Sequence, residues 1–303
     1  MSSGAKSSLK QRAKSLLLDT APGRAAMVLP RAVMAFKAAR IAPQLGAVTR
    51  WAFASRERVN FTYDTTRDSQ LLLCATVAEV AKCDARNIVA HLDELLSDAE
   101  LIAHVEADNR AARHRVDPGF RPGRRLAFYL LVRALKPRFV VEAGVDRGLG
   151  ALLISRALAL NAAAGHAGDY LGIEFDGEKP IPLFEAYAGR IGHIERGDSV
   201  AILSGLDRPI DLFIHDTTTH DAHVTAQLAA LQPKLSPHGV IASTWTTRHF
   251  IDFAFANDFG LLTHQEQTVD HWFQGDRVAM LFPRKPRPAN GNSLWPRLQP
   301  RTL

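Results

Sequence analysis

The chain has 303 residues, 47% of them hydrophobic and 22% charged, enough to bury one large α/β domain with an appendage. Its net charge of +6 sits at the ends: residues 1–50 carry +8, residues 284–303 carry +5, and the body from 51 to 283 is left at −7. An acidic body argues against a nucleic-acid partner, and Cys74 and Cys83 are too few for a disulfide framework. No run of about 18 apolar residues forms a membrane span. Lys10, Lys14, Arg24 and Arg31 interrupt any secretory signal, so a cytoplasmic location is expected.

Residues 7–18 have helical spacing, with Leu9, Ala13, Leu16 and Leu17 on one face. A second helical stretch runs from Arg31 to Ile41 and is expected to end at Pro43. These two basic amphipathic stretches suit contact with an anionic membrane surface through residues 1–50; packing against the body is the alternative. Residues 61–110 read as helical, with Asp68 or Thr66 as a cap. A Pro/Gly-rich linker, Asp117-Pro118-Gly119 and Arg121-Pro122-Gly123, follows. The expected organisation is a basic helical extension (1–60), a helical cap and linker (61–123) lying over the substrate side, a cofactor-binding domain (124–283) and a basic tail (284–303).

From Arg124 onward helix and strand alternate. A helix from Leu126 to Leu135 precedes strands at Arg138–Glu142, Tyr170–Glu174, Gly192–Glu195, Asp211–Ile214, Val240–Ser243, Leu261–His264 and Arg277–Phe282. Helices between them are expected at Ala151–Asn161, Leu183–Ala188, along the Val224, Leu228, Leu231 and Leu235 face, and at Phe250–Ala256. The pattern predicts an α/β, Rossmann-like, doubly wound, mostly parallel seven-stranded sheet with an N-terminal helical extension. Ligands of such sheets lie at the carboxyl ends of the strands.

The sharpest motif is Val140 to Gly150, VVEAGVDRGLG, between a strand and a helix. Gly144 and Gly148 permit a tight turn and close backbone approach to a ligand. Glu142 at the strand end would repel a pyrophosphate and suits an ammonium or sulfonium group. A purely structural strand-to-helix turn is the alternative. The spacing Gly144-x3-Gly148-x-Gly150 departs from the dinucleotide fingerprint and speaks against an NAD-dependent oxidoreductase. Glu174 ends the next strand where an acid accepts hydrogen bonds from ribose hydroxyls, with Asp176 a near alternative. Asp198 and Ser199 follow the third strand, placed to reach an adenine edge or to cap a helix.

With these motifs in this order, Tyr129 through Phe282 resembles the class I S-adenosylmethionine-dependent methyltransferases, nearest to the branch called methyltransferase family 24 and its cephalosporin hydroxylase-like relatives. The resemblance rests on Arg133-Ala134-Leu135-Lys136-Pro137, Val141-Glu142-Ala143-Gly144 with Gly148, Ala157-Leu158 with Asn161, and Gly172-Ile173-Glu174. It continues through Gly197-Asp198-Ser199, Asp211 to Asp216, and Ser236-Pro237-His238-Gly239. It implies S-adenosylmethionine as cofactor, with Gly144 and Gly148 near the methionine part, Glu174 on the ribose, Asp198 and Ser199 near the adenine, and Asp216 facing the cofactor.

His215, His220 and His223 cluster around Asp216. A histidine at a helix N-terminus tends to stay neutral and suits proton removal from a hydroxyl; capping and a metal site are the alternatives. Asp216, His220 and His223 are the expected catalytic residues. The sequence departs from the family in Thr219, where many relatives have histidine, and in Pro237-His238-Gly239 for Pro-Gly-Gly. Thr244 and Trp245 stand where metal-dependent relatives carry acids, so no metal is expected. Trp245 and His271-Trp272-Phe273 are expected to line a substrate pocket, or else to be packing residues. The resulting expectation is metal-independent methyl transfer to an oxygen or nitrogen of a small-molecule or lipid-like acceptor. The rival is a noncatalytic nucleoside-binding or membrane-associated module.

Overall fold

The computed structural model describes residues 20–285, apart from 21, 23–24, 26–27, 39–40, 56–60, 113–115, 218–219, 246 and 270. The expected helix at 7–18 and all but the first two residues of the basic tail lie outside them. The chain divides into two compact units, residues 1–55 with 270–272, and residues 56–269 with 273–303.

The first unit holds α1 (Val28–Ala38) and α2 (Ile41–Ala54). Pro43, expected to end a helix, lies in the first turn of α2, where its missing N–H has no carbonyl to serve. Trp272 packs edge-on against Trp51 with ring centroids 5.3 Å apart, and His271 stacks on Trp272.

The second unit begins with α3 (Arg67–Ala81), α4 (Ala85–Leu96) and α5 (Ala99–Ala111). Short acceptor side chains start each: Thr66 receives the Ser69 N–H, Asp84 that of Arg86, and Asp98 that of Leu101. Of the two expected caps Thr66 serves, and Asp68 sits in the first turn, where the helix dipole favours an acid. α6 (Arg125–Leu135) leads into β1 (Phe139–Ala143), α7 (Leu149–Ala163), β2 (Asp169–Glu174), α8 (Pro182–Glu185), β3 (His193–Arg196), α9 (Ser199–Gly205), β4 (Ile210–His215) and α10 (Asp221–Leu231). Then come β5 (Leu235–Ser243), α11 (Arg248–Ala256), β6 (Phe259–Gln265) and β7 (Arg277–Pro283).

The strands form one seven-stranded sheet in the order β3-β2-β1-β4-β5-β7-β6, parallel from β3 to β5, with β7 antiparallel to both neighbours. This is the Rossmann-like sheet that the alternating pattern predicts. The order reverses direction between β1 and β4, so the switch point lies at their carboxyl ends.

Strand alternation sorts the core into two layers. Val140, Leu212, Ile214, Val240 and Met280 face a cluster with Leu92, Phe128, Leu131, Leu152 and Ile154 from α4, α6 and α7. Val141, Ala143, Phe213, Ile241 and Leu281 face a second cluster with Val224, Leu228, Phe250 and Phe253 from α10 and α11. Residues of α3, α4 and α5 belong to the first cluster, so the helical segment before β1 shares the core of the sheet. Arg133 of α6 ties α4 to α7: its Nε and Nη2 donate to Glu94 at 2.8 and 3.0 Å, and Nη1 donates to Asn161.

Two local expectations fail for identifiable reasons. Leu235 does not extend the apolar face of α10, because Pro233 turns the chain through a short 3-10 helix and Leu235 opens β5. β5 therefore starts before Val240 and includes Pro237-His238-Gly239, with a register shift opposite Ile210 and Leu212.

Candidate active site

The carboxyl ends of β1, β2, β4 and β5 meet at the switch point. The Gly144 amide donates to Ile173 O, that of Asp216 to Ala143 O, and that of Thr244 to His215 O, at 2.9, 2.9 and 3.1 Å. Gly144 has φ +93°, and a Cβ there would collide with the Asp216 main chain. At Gly148, also at φ +93°, a Cβ would press on Ile181 and Phe184. Both glycines are thus required by the packing of the turn itself.

Glu174 is 8% exposed at the end of β2. Its Oε2 accepts from the amides of Val145 and Asp146 at 3.2 and 2.9 Å, and Oε1 accepts from the Asp176 amide at 3.2 Å. The carboxylate holds the glycine turn in place, and Oε1 keeps capacity for a further donor. Phe175, 80% exposed, follows it directly. Asp198 caps α9 through the Val200 amide at 3.2 Å. Ser199 accepts from Gln227 at 2.7 Å and lies 3.2 Å from His223 Nε2, while Gln227 Oε1 meets His215 Nδ1 at 2.7 Å.

Glu142 is buried, receives the Tyr170 hydroxyl at 2.5 Å, and lies where a Gly150 Cβ would stand. Gly172, its partner across the strands, leaves room for the Tyr170 hydroxyl to arrive. Burial lifts the Glu142 carboxyl to about 8, with the Tyr170 hydrogen bond opposing and Asp216 adding.

Asp216, reached from β4, is clamped. Arg124 Nη2 lies 3.0 Å from Oδ1, Arg125 Nη2 lies 3.5 Å from Oδ2, and the Thr244 hydroxyl donates to Oδ1 at 2.9 Å. Arg124 also pairs with Asp276 at 2.6 Å. Burial opposes the Arg124 charge, and Asp216 with Asp276 outweighs it, so its pKa is raised. Asp276 is anchored in turn: its amide donates to the Tyr63 hydroxyl and to Glu266 at 2.8 and 3.0 Å, and Tyr63 donates to Glu266 at 2.5 Å. Burial lifts Glu266 to about 7, against the Tyr63 hydrogen bond.

A cavity of about 310 Å³ opens beside this clamp. Asp146, Arg147 and Leu149 close it on the glycine-turn side; Trp245, Phe273 and Asp276 close another side. Phe61, Thr62, Asn109, Val116 and Arg121 from the segment before β1 complete it with Arg124, Arg125 and Leu183. Trp245 and Phe273 thus line a cavity as expected, whereas His271 and Trp272 pack in the other unit. None of the predicted site residues lines it: Asp216 lies behind its arginines, His220 is exposed at the N-cap of α10, and His223 is engaged with Ser199. Among the described residues no group of three His, Cys, Asp or Glu is placed to hold a metal ion. The sequence reading missed Arg121, Arg124 and Arg125; the run Arg121-Pro122-Gly123-Arg124-Arg125 was visible, but its proline and glycine point only to a turn.

Residues 141–243 match the family model described as a methyltransferase domain. No curated protein sequence matches the chain. Among solved structures, the chain is similar to the O-methyltransferase TomG of Streptomyces achromogenes, involved in tomaymycin synthesis, with 17% identity over 62% of this chain and 91% of that one and a TM-score of 0.46. It is similar to an O-methyltransferase of Bacillus cereus solved with SAH (17% identity, 64% and 99% covered, TM-score 0.46). A third is cofactor-bound Rv0187 from MTB (19% identity, 65% and 96% covered, TM-score 0.48).

The raised carboxyl of Glu142 has a measurable signature. A folded pKa near 8 against an unfolded 4.5 means that stability present below pH 4.5 is lost as pH rises through 8. Urea unfolding of the wild type is expected to show a decline of a few kcal/mol, order of magnitude, between those values. Glu142→Gln should flatten that decline; an unchanged slope in the variant would contradict the assignment.

Proposed function

Taking residues 141–243 as the methyltransferase domain that they match, we propose that the chain is an S-adenosylmethionine-dependent methyltransferase. The observation that carries this reading is the junction of the glycine turn with Glu174, which accepts the Val145 and Asp146 amides on Oε2 and a single amide on Oε1 at the carboxyl end of β2. A carboxylate with acceptor capacity at that strand end fits the hydroxyls of a ribose. Asp198 and Ser199 at the start of α9 would border the base, and the main chain at Gly144 and Gly148 the methionine part.

When bound, S-adenosylmethionine supplies a methyl group on a sulfonium, already activated for in-line transfer. The chain then has to align an acceptor, exclude water and take a proton if the acceptor is a hydroxyl. Asp216 serves alignment in this proposal: with two guanidiniums and a hydroxyl on its oxygens it fixes Arg124 and Arg125 at the cavity wall. His220 is the proposed proton acceptor, and His223 supports the Ser199 hydroxyl. The residues around Asp216 favour a metal-independent reaction. Its neighbours are cationic, and Thr244 gives its hydroxyl where carboxylates would be needed to hold a hard cation. An oxygen or nitrogen of a small molecule is the proposed acceptor.

Release of S-adenosylhomocysteine from S-adenosylmethionine, assayed over hydroxyl- and amine-bearing acceptors, tests this reading. Asp216→Asn should lower kcat by roughly tenfold or more, and His220→Ala by about 100-fold on a hydroxyl acceptor, with cofactor binding retained. Cofactor binding without turnover on any acceptor would favour the noncatalytic module instead.

A peripheral membrane contact through residues 1–50 is a separate proposal, supported by their charge of +8 and by exposed Leu29, Met34 and Leu45 on α1 and α2. No described helix is long and apolar enough to cross a membrane. Flotation with vesicles containing phosphatidylserine should depend on residues 1–50; unchanged flotation after their deletion would overturn it.

A further inference from the structure

We propose that the cavity at the carboxyl ends of β1 and β5 takes an acceptor bearing an anionic group, a carboxylate or a phosphate, which Arg125 and Arg121 bind beside the aromatic walls of Trp245 and Phe273. The inference rests on the methyltransferase reading and names the class of molecule that the same site accepts.

The charges on the wall are unequal in how they are used. Four arginines line the cavity against two acids, Asp146 and Asp276. Arg124 is committed to Asp216 and Asp276, Arg147 to Asp108, and Asp146 to Lys179 at 2.6 Å. The Arg125 guanidinium makes no hydrogen bond with the described residues, and its nearest carboxylate oxygen, on Asp216, is 3.5 Å away, although its side chain is only 20% exposed. Arg121 has carboxylates at 3.6 and 3.9 Å and a single long hydrogen bond, 3.4 Å, to Thr62 O. The two loosely partnered charges on the wall are therefore both guanidiniums. A desolvated guanidinium with unspent donors favours a carboxylate or phosphate, which its planar fork binds in two bonds.

The apolar share of the wall says what the anion is attached to. Trp245 is 48% exposed at the end of β5, and Phe273 packs at 5.3 Å from Phe61 and 5.6 Å from Tyr63. Flat aromatic surfaces favour a planar body. The cavity adjoins the proposed cofactor site through Asp146, Arg147 and Leu149 at the glycine turn, while Arg121 and Arg125 come from before β1 and Trp245 and Phe273 from after β5 and β6.

Calorimetric titration of the full chain, saturated with S-adenosylhomocysteine, against 3,4-dihydroxybenzoate and its neutral methyl ester tests this. The acid should bind at least about tenfold more tightly than the ester, and added salt should reduce the difference. Arg125→Gln and Arg121→Gln should each erode that preference, Arg125→Lys should keep part of it, and affinity for S-adenosylhomocysteine should stay unchanged. Equal binding of acid and ester, or no binding of either, would overturn the proposal. So would Arg125→Gln weakening S-adenosylhomocysteine but not methylthioadenosine, since the anion would then be the cofactor's own carboxylate. Failure of the wild type to bind S-adenosylhomocysteine would instead remove the methyltransferase reading itself.

Discussion

The Arg124 guanidinium, held between Asp216 after β4 and Asp276 before β7, is the contact on which the mouth of this sheet depends. It joins a residue at the start of α6 to the loop after β4 and the loop before β7, two strands separated in the sheet by β5. Asp276 is fixed by Tyr63 and Glu266, so the same cluster reaches back to the segment before the helices. Its members are largely desolvated, and removing one charge would leave others unpaired at a cost of about 3 kcal/mol or more. A carboxylate with both oxygens so engaged is well suited to setting the position of its neighbours. The proposed division of labour follows, with Asp216 placing arginines and a histidine outside the clamp meeting the proton.

Charge is distributed around the turn by the same economy of partners. Glu174 neutralises the amides that the glycine turn leaves pointing inward, Lys179 holds Asp146 ionised against its burial, and Glu142 escapes the problem by remaining mostly protonated. Three acids around one glycine turn are thus accommodated in different ways, by burial and by partners about 30 positions away in sequence.

That distance explains what the sequence could disclose. The strands are legible because β1, β2, β4 and the second half of β5 are largely apolar runs bounded by Gly, Pro and acids, and their alternation with helices dictates crossovers. The glycine turn and Glu174 are legible because both are local motifs. The end of α10 is not, because periodicity carries Leu235 onto its face while Pro233 acts through its missing N–H. Pro43 illustrates the converse, since a proline reads alike as a stop or as a first turn. Arg124 and Arg125 are invisible as site residues because their partners lie at Asp216 and Asp276, about 90 and 150 positions away. Glu142 is visible as an acid, but only the arrival of Tyr170 and the closing of the core reveal that its charge is suppressed.

In the proposed function the junction of the glycine turn and Glu174 is the nucleoside site for S-adenosylmethionine. Isothermal titration with S-adenosylhomocysteine, for the wild type and for Glu174→Ala with its folding checked by thermal unfolding, tests this most directly. Micromolar binding that the variant weakens by about tenfold or more is expected. A folded wild type that takes up no S-adenosylhomocysteine, or a variant that binds it equally well, would rule out that assignment.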